Sequence, residues 1–259
     1  MDYLRIAKKN KVVLFVNDIV GLEVVKKIKE QDEIGFLFIH EKKLRKCGEQ
    51  IIQAAGVSQS QIFVGKDILK EEVLELLREY KPDIFITCYW AHLLRPEAFN
   101  IPKFGCLNFH PALLPYNRGW YPSVYPFLDG SPFGVTLHLI DEGADTGPII
   151  AQREIIPKVH ENSGHLYLNA QKEITSLFFE TWEKLKLEGI KPIKQDHSRF
   201  TYHSKKEISS YDEINLDEVG TFKKLINKIK ARMFVEKSFA FIKVGNKKYK
   251  VKLLIEEMD

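Results

Sequence analysis

Residues 12–39, VVLFVNDIVGLEVVKKIKEQDEIGFLFI, alternate between two kinds of pattern. Val12–Val16 is an unbroken apolar run too short for a helix, so it reads as a strand buried on both faces. Leu22–Lys29 has the apolar spacing of an amphipathic helix, and Ile34–Ile39 is a second strand. Two buried strands joined by a helix imply a parallel pair with a crossover. The beat repeats outward: helix Leu44–Ala55, strand Ile62–Val64, helix Glu71–Tyr80, and strand Ile84–Cys88 opened by Pro82. The fold class is therefore α/β, with a parallel, doubly wound sheet like that of nucleotide-binding domains. The turn after Val16 reads Asn17-Asp18-Ile19-Val20-Gly21 and lacks the GxGxxG phosphate loop of a dinucleotide enzyme, which argues against a dehydrogenase.

Length and composition fit this reading. A chain of 259 residues suits one large domain and a smaller one, and 44% hydrophobic with 29% charged residues is ordinary for a folded soluble protein. A net charge of +4 is too balanced for a nucleic-acid surface. The basic run Lys223–Lys252 suits either a solvated face or a phosphate partner. Cys47, Cys88 and Cys106 form no CxxC, so neither a disulfide framework nor a cysteine zinc site is expected, and no metal is expected. No targeting segment or bilayer-length apolar run is visible, and a cytoplasmic location is expected.

The chemistry concentrates in 106-CLNFHPALLPYNRGWYPS-123 and 134-GVTLHLIDEGADTG-147. On a strand Cys106–His110, Leu107 and Phe109 enter the core while Asn108 and His110 project together from the other face. Pro111 ends the strand. A second strand, Phe133–Ile140, runs into a loop carrying Asp141, Glu142 and Asp145. If the two strands are neighbours, a loop carboxylate reaches the imidazole and fixes its tautomer. An amide to hold a developing oxyanion, an imidazole to take a proton and a carboxylate to assist it suffice for acyl transfer without a covalent nucleophile. No GxSxG elbow is present. Plain hydrogen bonding at a strand end is the competing reading, and His138 is expected to be structural.

After a strand Pro148–Ile155, a long helix runs from Gly164 to Leu187, with Leu166, Ala170, Ile174, Leu177, Phe178, Trp182 and Leu185 as its core stripe. Beyond it the pattern predicts a helix Val219–Met233 and strands Phe239–Val244 and Lys248–Leu254, joined at Gly245-Asn246 as a hairpin. The expected division is a catalytic domain at 1–190 and a small α+β region at 191–259 ending in that hairpin.

Asn108-Phe109-His110, Leu113-Leu114-Pro115, Asn117-Arg118-Gly119, Gly134-Val135-Thr136 with His138, and Asp145-Thr146-Gly147 resemble the folate-dependent formyltransferase family over roughly residues 10–190. That family includes the methionyl-tRNA, glycinamide ribonucleotide and sugar N-formyltransferases. The resemblance implies a Rossmann-like formyltransferase domain, 10-formyltetrahydrofolate as co-substrate and a triad of Asn108, His110 and Asp145. It implies a pterin cleft at Tyr89, Trp90 and Leu93 and along Ile140, Asp141, Glu142 and Gly143; packing is the other reading of Trp90.

The short tail looks most like the sugar enzymes, which act on nucleotide-linked amino sugars, as in lipopolysaccharide O-antigen synthesis. The expected acceptor is then a dTDP-linked sugar such as a 4-amino-4,6-dideoxyhexose. Asn117, Arg118, Gly119, Tyr202, Lys206 and Arg232 are candidates for holding it, with His203 and Lys205 nearby, and Phe239, Phe241 and Tyr249 suggest a homodimer contact. The alternative is a methionyl-tRNA formyltransferase-like enzyme, and a non-catalytic ligand-binding protein on the same fold is a third reading. No membrane or nucleic-acid partner is expected.

Overall fold

The computed structural model describes residues 3–258. In chain order the first elements are β1 (Lys11–Val16), α1 (Asp18–Gln31), β2 (Glu33–Ile39), α2 (Gly48–Ala55), β3 (Ile62–Val64), α3 (Glu71–Tyr80), β4 (Ile84–Cys88), α4 (Pro96–Phe99) and β5 (Cys106–His110). There follow β6 (Arg118–Gly119), α5 (Tyr125–Asp129), β7 (Gly134–Leu139), β8 (Ile149–Glu154), α6 (Ser163–Leu187), β9 (Tyr202–His203) and α7 (Phe222–Ala231). The tail holds β10 (Met233–Phe234), β11 (Lys237–Ser238), β12 (Phe241–Val244) and β13 (Lys247–Lys250).

The chain forms two compact units, neither continuous in sequence. One comprises residues up to His110, Thr136–Gln152 and Gln171–Gln195. The other comprises Pro111–Val135, Arg153–Ala170 and residues from Asp196 on.

A seven-stranded sheet in the order β3-β2-β1-β4-β5-β7-β8 organises the first unit. β1 pairs in parallel with β2 and β4, as the βαβ reading requires, and β4 pairs in parallel with β5. The sheet is not wholly parallel, because β7 runs antiparallel to β5. An alternating apolar pattern carries no information on strand direction, and the long excursion from Pro111 to Phe133 lets the chain re-enter reversed. Phe15, Phe38 and Phe85 build one core layer, and α3 contributes Val73, Leu74 and Leu77. The expected stripe on α6 is buried throughout.

A buried polar network ties α6 to the turn after α1. Lys186 Nζ lies 2.7 Å from Asp32 Oδ2, and Asp32 also accepts from Trp182 Nε1 (2.9 Å) and from both nitrogens of Asn10. The Asp32 side chain is 0% exposed. Lys186→Met keeps the aliphatic packing but strands a buried carboxylate, so it should destabilise the chain by about 3–5 kcal/mol, read as a lower midpoint in urea unfolding.

In the second unit β6 pairs with β9, β10 with β11, and β12 with β13 as the expected hairpin at Gly245. Its core joins Ile214, Ile229, Met233 and Ala240, with Ile242, Val251 and Leu253 packed on them. The last strand is Lys247–Lys250 instead of Lys248–Leu254: Val251 N–H still bonds Ala240 O in the hairpin register, and beyond it Leu253 N–H turns to Met233 Sδ. The tail helix starts at Phe222 instead of Val219 because Thr221 caps it, accepting from Lys224 N–H. Likewise α2 begins at Gly48 because Cys47 is left-handed. No helix among the described residues is long and apolar enough to cross a membrane.

Candidate active site

Register decides the centre of the site. Asn108 on β5 stands directly opposite His138 on β7, and His110 opposite Thr136. Side chains two apart on a strand share a face, so Asn108, His110 and His138 converge. Asn108 Nδ2 lies 2.9 Å from His138 Nε2, and Thr87 Oγ1 on β4 donates to Asn108 Oδ1 at 2.7 Å. The loop after β7 departs at the Leu107 end of the pair, yet Asp145 returns to place Oδ1 3.6 Å from both His110 Nδ1 and His138 Nε2. The loop therefore doubles back over the face from which Asn108 projects.

Two features hold that return. Asp145 has φ 56°, a conformation disfavoured for non-glycine residues. Gln195, 6% exposed, donates its Nε2 to the carbonyl oxygens of Asp145 (2.8 Å) and Gly147 (2.7 Å). Gly147 is required by close approach, since a Cβ there would collide with Leu139 O. Sequence reasoning misses both Thr87 and Gln195, and for Gln195 no signal exists, because nothing in a single chain links it to a loop fifty residues earlier. Thr87 does carry a signal as the polar residue of an otherwise apolar strand.

The hydrogen bonds fix one proton inventory. His138 Nδ1 faces Leu139 O at 2.9 Å, and a carbonyl only accepts, so Nδ1 carries the proton. Nε2 then accepts from Asn108 Nδ2–H, which agrees with Thr87 donating to Oδ1 on the other side. The Asn108 amide is thus locked in one orientation. Thr87→Val should release that lock and lower kcat by about tenfold with KM nearly unchanged, the scale of about 1–1.5 kcal/mol for one hydrogen bond. Thr87→Ser should restore the rate, and an unaltered kcat in Thr87→Val would contradict the lock.

The remaining expected residues divide. Trp90 is partly buried against the aromatic core, edge-on to Phe15 at 5.6 Å and stacked on His40 at 4.3 Å, and Ile140 packs against the same cluster. Leu93 is 82% exposed. Tyr89 has φ 54°. Asp141 accepts from Thr146 Oγ1 and from Gly143 N–H, while Glu142 is exposed.

In the second unit, β6–β9 pairing sets Arg118 beside Tyr202 and Gly119 beside His203. Asn117 is fully buried, bonded to Thr201, Ser131 and His203, and Arg118 is 3% exposed against Phe200 and His197. Arg232 is paired with Asp212 at 2.6 Å. Tyr202 and Lys206 face solvent, and Lys205 sits over the half-exposed ring of Trp120. Burial pushes the pKa of His203 below its usual value.

Comparison with known proteins gives the family. The formyl transferase family model matches residues 4–181, and an N-formyltransferase dimerization C-terminal domain model matches residues 207–257. The chain is 36% identical to a methionyl-tRNA formyltransferase of Kosmotoga olearia over 71% of its own length but only 57% of that relative. It is 30% identical to a dTDP-4-amino-4,6-dideoxyglucose formyltransferase of Mycobacterium bovis, covering 72% of this chain and 78% of that one. A crystal structure of a 4-N formyltransferase from Francisella tularensis superposes with a TM-score of 0.82 at 25% identity, covering 96% of this chain and 99% of the other. The Asn-His-Asp convergence thus lies within residues matched to one enzyme family, and the chain belongs to the formyltransferases.

Proposed function

We propose that this enzyme transfers a formyl group from 10-formyltetrahydrofolate to the amine of a dTDP-linked amino sugar such as a 4-amino-4,6-dideoxyhexose, in the cytoplasm and as a homodimer. The observation that carries the sugar reading over the tRNA reading is coverage. Similarity to the 4-N formyltransferase of Francisella tularensis extends over 99% of that chain, and residues 207–257 match an N-formyltransferase dimerization C-terminal domain model.

The bound folate supplies an activated formyl carbon whose bond to folate nitrogen breaks as the bond to the sugar amine forms. The locked Asn108 amide has a second N–H, which meets the charge developing on the formyl oxygen. His110 takes the proton that the amine loses and returns one to the departing nitrogen, with Asp145 favouring the imidazolium. Thr87, His138 and Gln195 position this triad.

The exposed apolar loop residue Leu93 and the Ile140–Gly143 segment suit a flat apolar ligand ring. Asn117, Arg118 and Gly119 shape the acceptor side, with Tyr202 and Lys206 meeting the nucleotide. Arg232, already paired, orders the tail beside the diphosphate. The proposed domain division remains 1–190 for catalysis and 191–259 for the tail, whose exposed Phe239 and Tyr249, with the partly buried Phe241, offer the dimer contact.

Competition between acceptors tests this reading. Excess dTDP should inhibit formylation of the amino sugar, and initiator tRNA should not. Inhibition by tRNA that weakens steeply with salt would favour the tRNA enzyme instead.

A further inference from the structure

Among the described residues, one cluster of metal-ligating side chains lies outside the Asn108, His110 and Asp145 centre. His40 directly follows β2, Glu41 comes next, and His92 lies in the segment after β4. Each offers a ligand atom, and these atoms lie within 4.8 Å of one another.

His40 is 1% exposed. Its Nε2 is 3.3 Å from Tyr89 O and 3.3 Å from Ala91 N–H. Whichever of these it uses, Nδ1 is left buried without a hydrogen-bond partner among the described residues. A buried polar atom in that state asks for an unseen partner.

The neighbouring pair has the spacing of metal ligands. His92 Nε2 and Glu41 Oε2 are 3.3 Å apart. Two ligands about 2.0–2.2 Å from one tetrahedral ion stand about 3.3–3.6 Å apart. The glycine at Gly65, φ +54°, leaves room for the Glu41 carboxylate, with which a Cβ would collide.

We infer that His40, Glu41 and His92 bind one Zn²⁺, with water in the fourth position. Two imidazoles and a carboxylate are a donor set suited to zinc, and the set needs none of the three cysteines. With the ion on Nδ1, His40 Nε2–H donates to Tyr89 O, the outer-shell bond that a ligating histidine makes as a rule. The ion then joins the end of β2 to the segment carrying Tyr89 and Trp90, whose indole stacks on His40.

The test titrates the chelator-stripped full chain with CoCl₂ and then ZnCl₂. The expected result is one Co²⁺ per chain with the visible absorption of a four-coordinate ion, its displacement by Zn²⁺, and a Zn²⁺-dependent rise in unfolding temperature. His92→Ala and Glu41→Gln, both at partly exposed positions, should each weaken binding by more than the ~10–100-fold that loss of an outer-shell partner costs. Absence of stoichiometric binding would reduce the cluster to a Glu41–His92 hydrogen bond and overturn the site. Equal binding by wild type and both variants would place the ion elsewhere and overturn it equally.

Discussion

Formyl transfer by the His110→Asn variant is expected to fall by about 10²–10⁴-fold in kcat, the contribution that a positioned general base makes. His110 is 5% exposed and faces Asp145 across 3.6 Å. No other imidazole on this face is equivalent, because His138 has given Nδ1–H to Leu139 and its Nε2 to Asn108. Asparagine keeps a hydrogen-bonding group of similar size, so the unfolding midpoint should shift little compared with the catalytic loss. Stopped-assay kinetics beside a thermal melt separate the two effects. A variant that folds and retains full activity would remove His110 from the chemistry.

The second large effect is expected at Asn108. Asn108→Leu should lower kcat by about 10²–10³-fold, the usual cost of losing one oxyanion donor. Because that interaction belongs to the transition state, KM for the folate donor should change far less than kcat. The substitution also leaves the Thr87 hydroxyl and His138 Nε2 without their partner, at a stability cost of about 1–3 kcal/mol. A rise in KM with kcat preserved would instead make Asn108 a ligand-positioning residue. Combined with His110→Asn, the loss should be less than the sum of the two, since both serve one transition state.

Much of this site is legible in the sequence. The polar pair Asn108 and His110 stands out because period-2 alternation and Pro111 leave little choice about which face they share or where the strand ends. The neighbouring strand is legible too, but its direction is not, because alternation reads the same either way. That direction is what makes the Asp145 loop fold back over the sheet face, a course no local pattern encodes. Gln195, which holds the loop, lies in a tail without periodicity, where a buried amide has no sequence signature. The tail elements lie within a few residues of their expected places. Their ends differ where the cap at Thr221 or the packing of Leu253 overrides the apolar run.

The most direct measurement is a single-turnover reaction of excess enzyme with formyl-labelled 10-formyltetrahydrofolate and a dTDP-linked 4-amino-4,6-dideoxyhexose, with the products separated and identified. The account predicts one labelled formamide on the sugar per donor consumed, dependent on His110. Label on initiator methionyl-tRNA in a parallel reaction with no label on the sugar, or release of free formate alone, would contradict it.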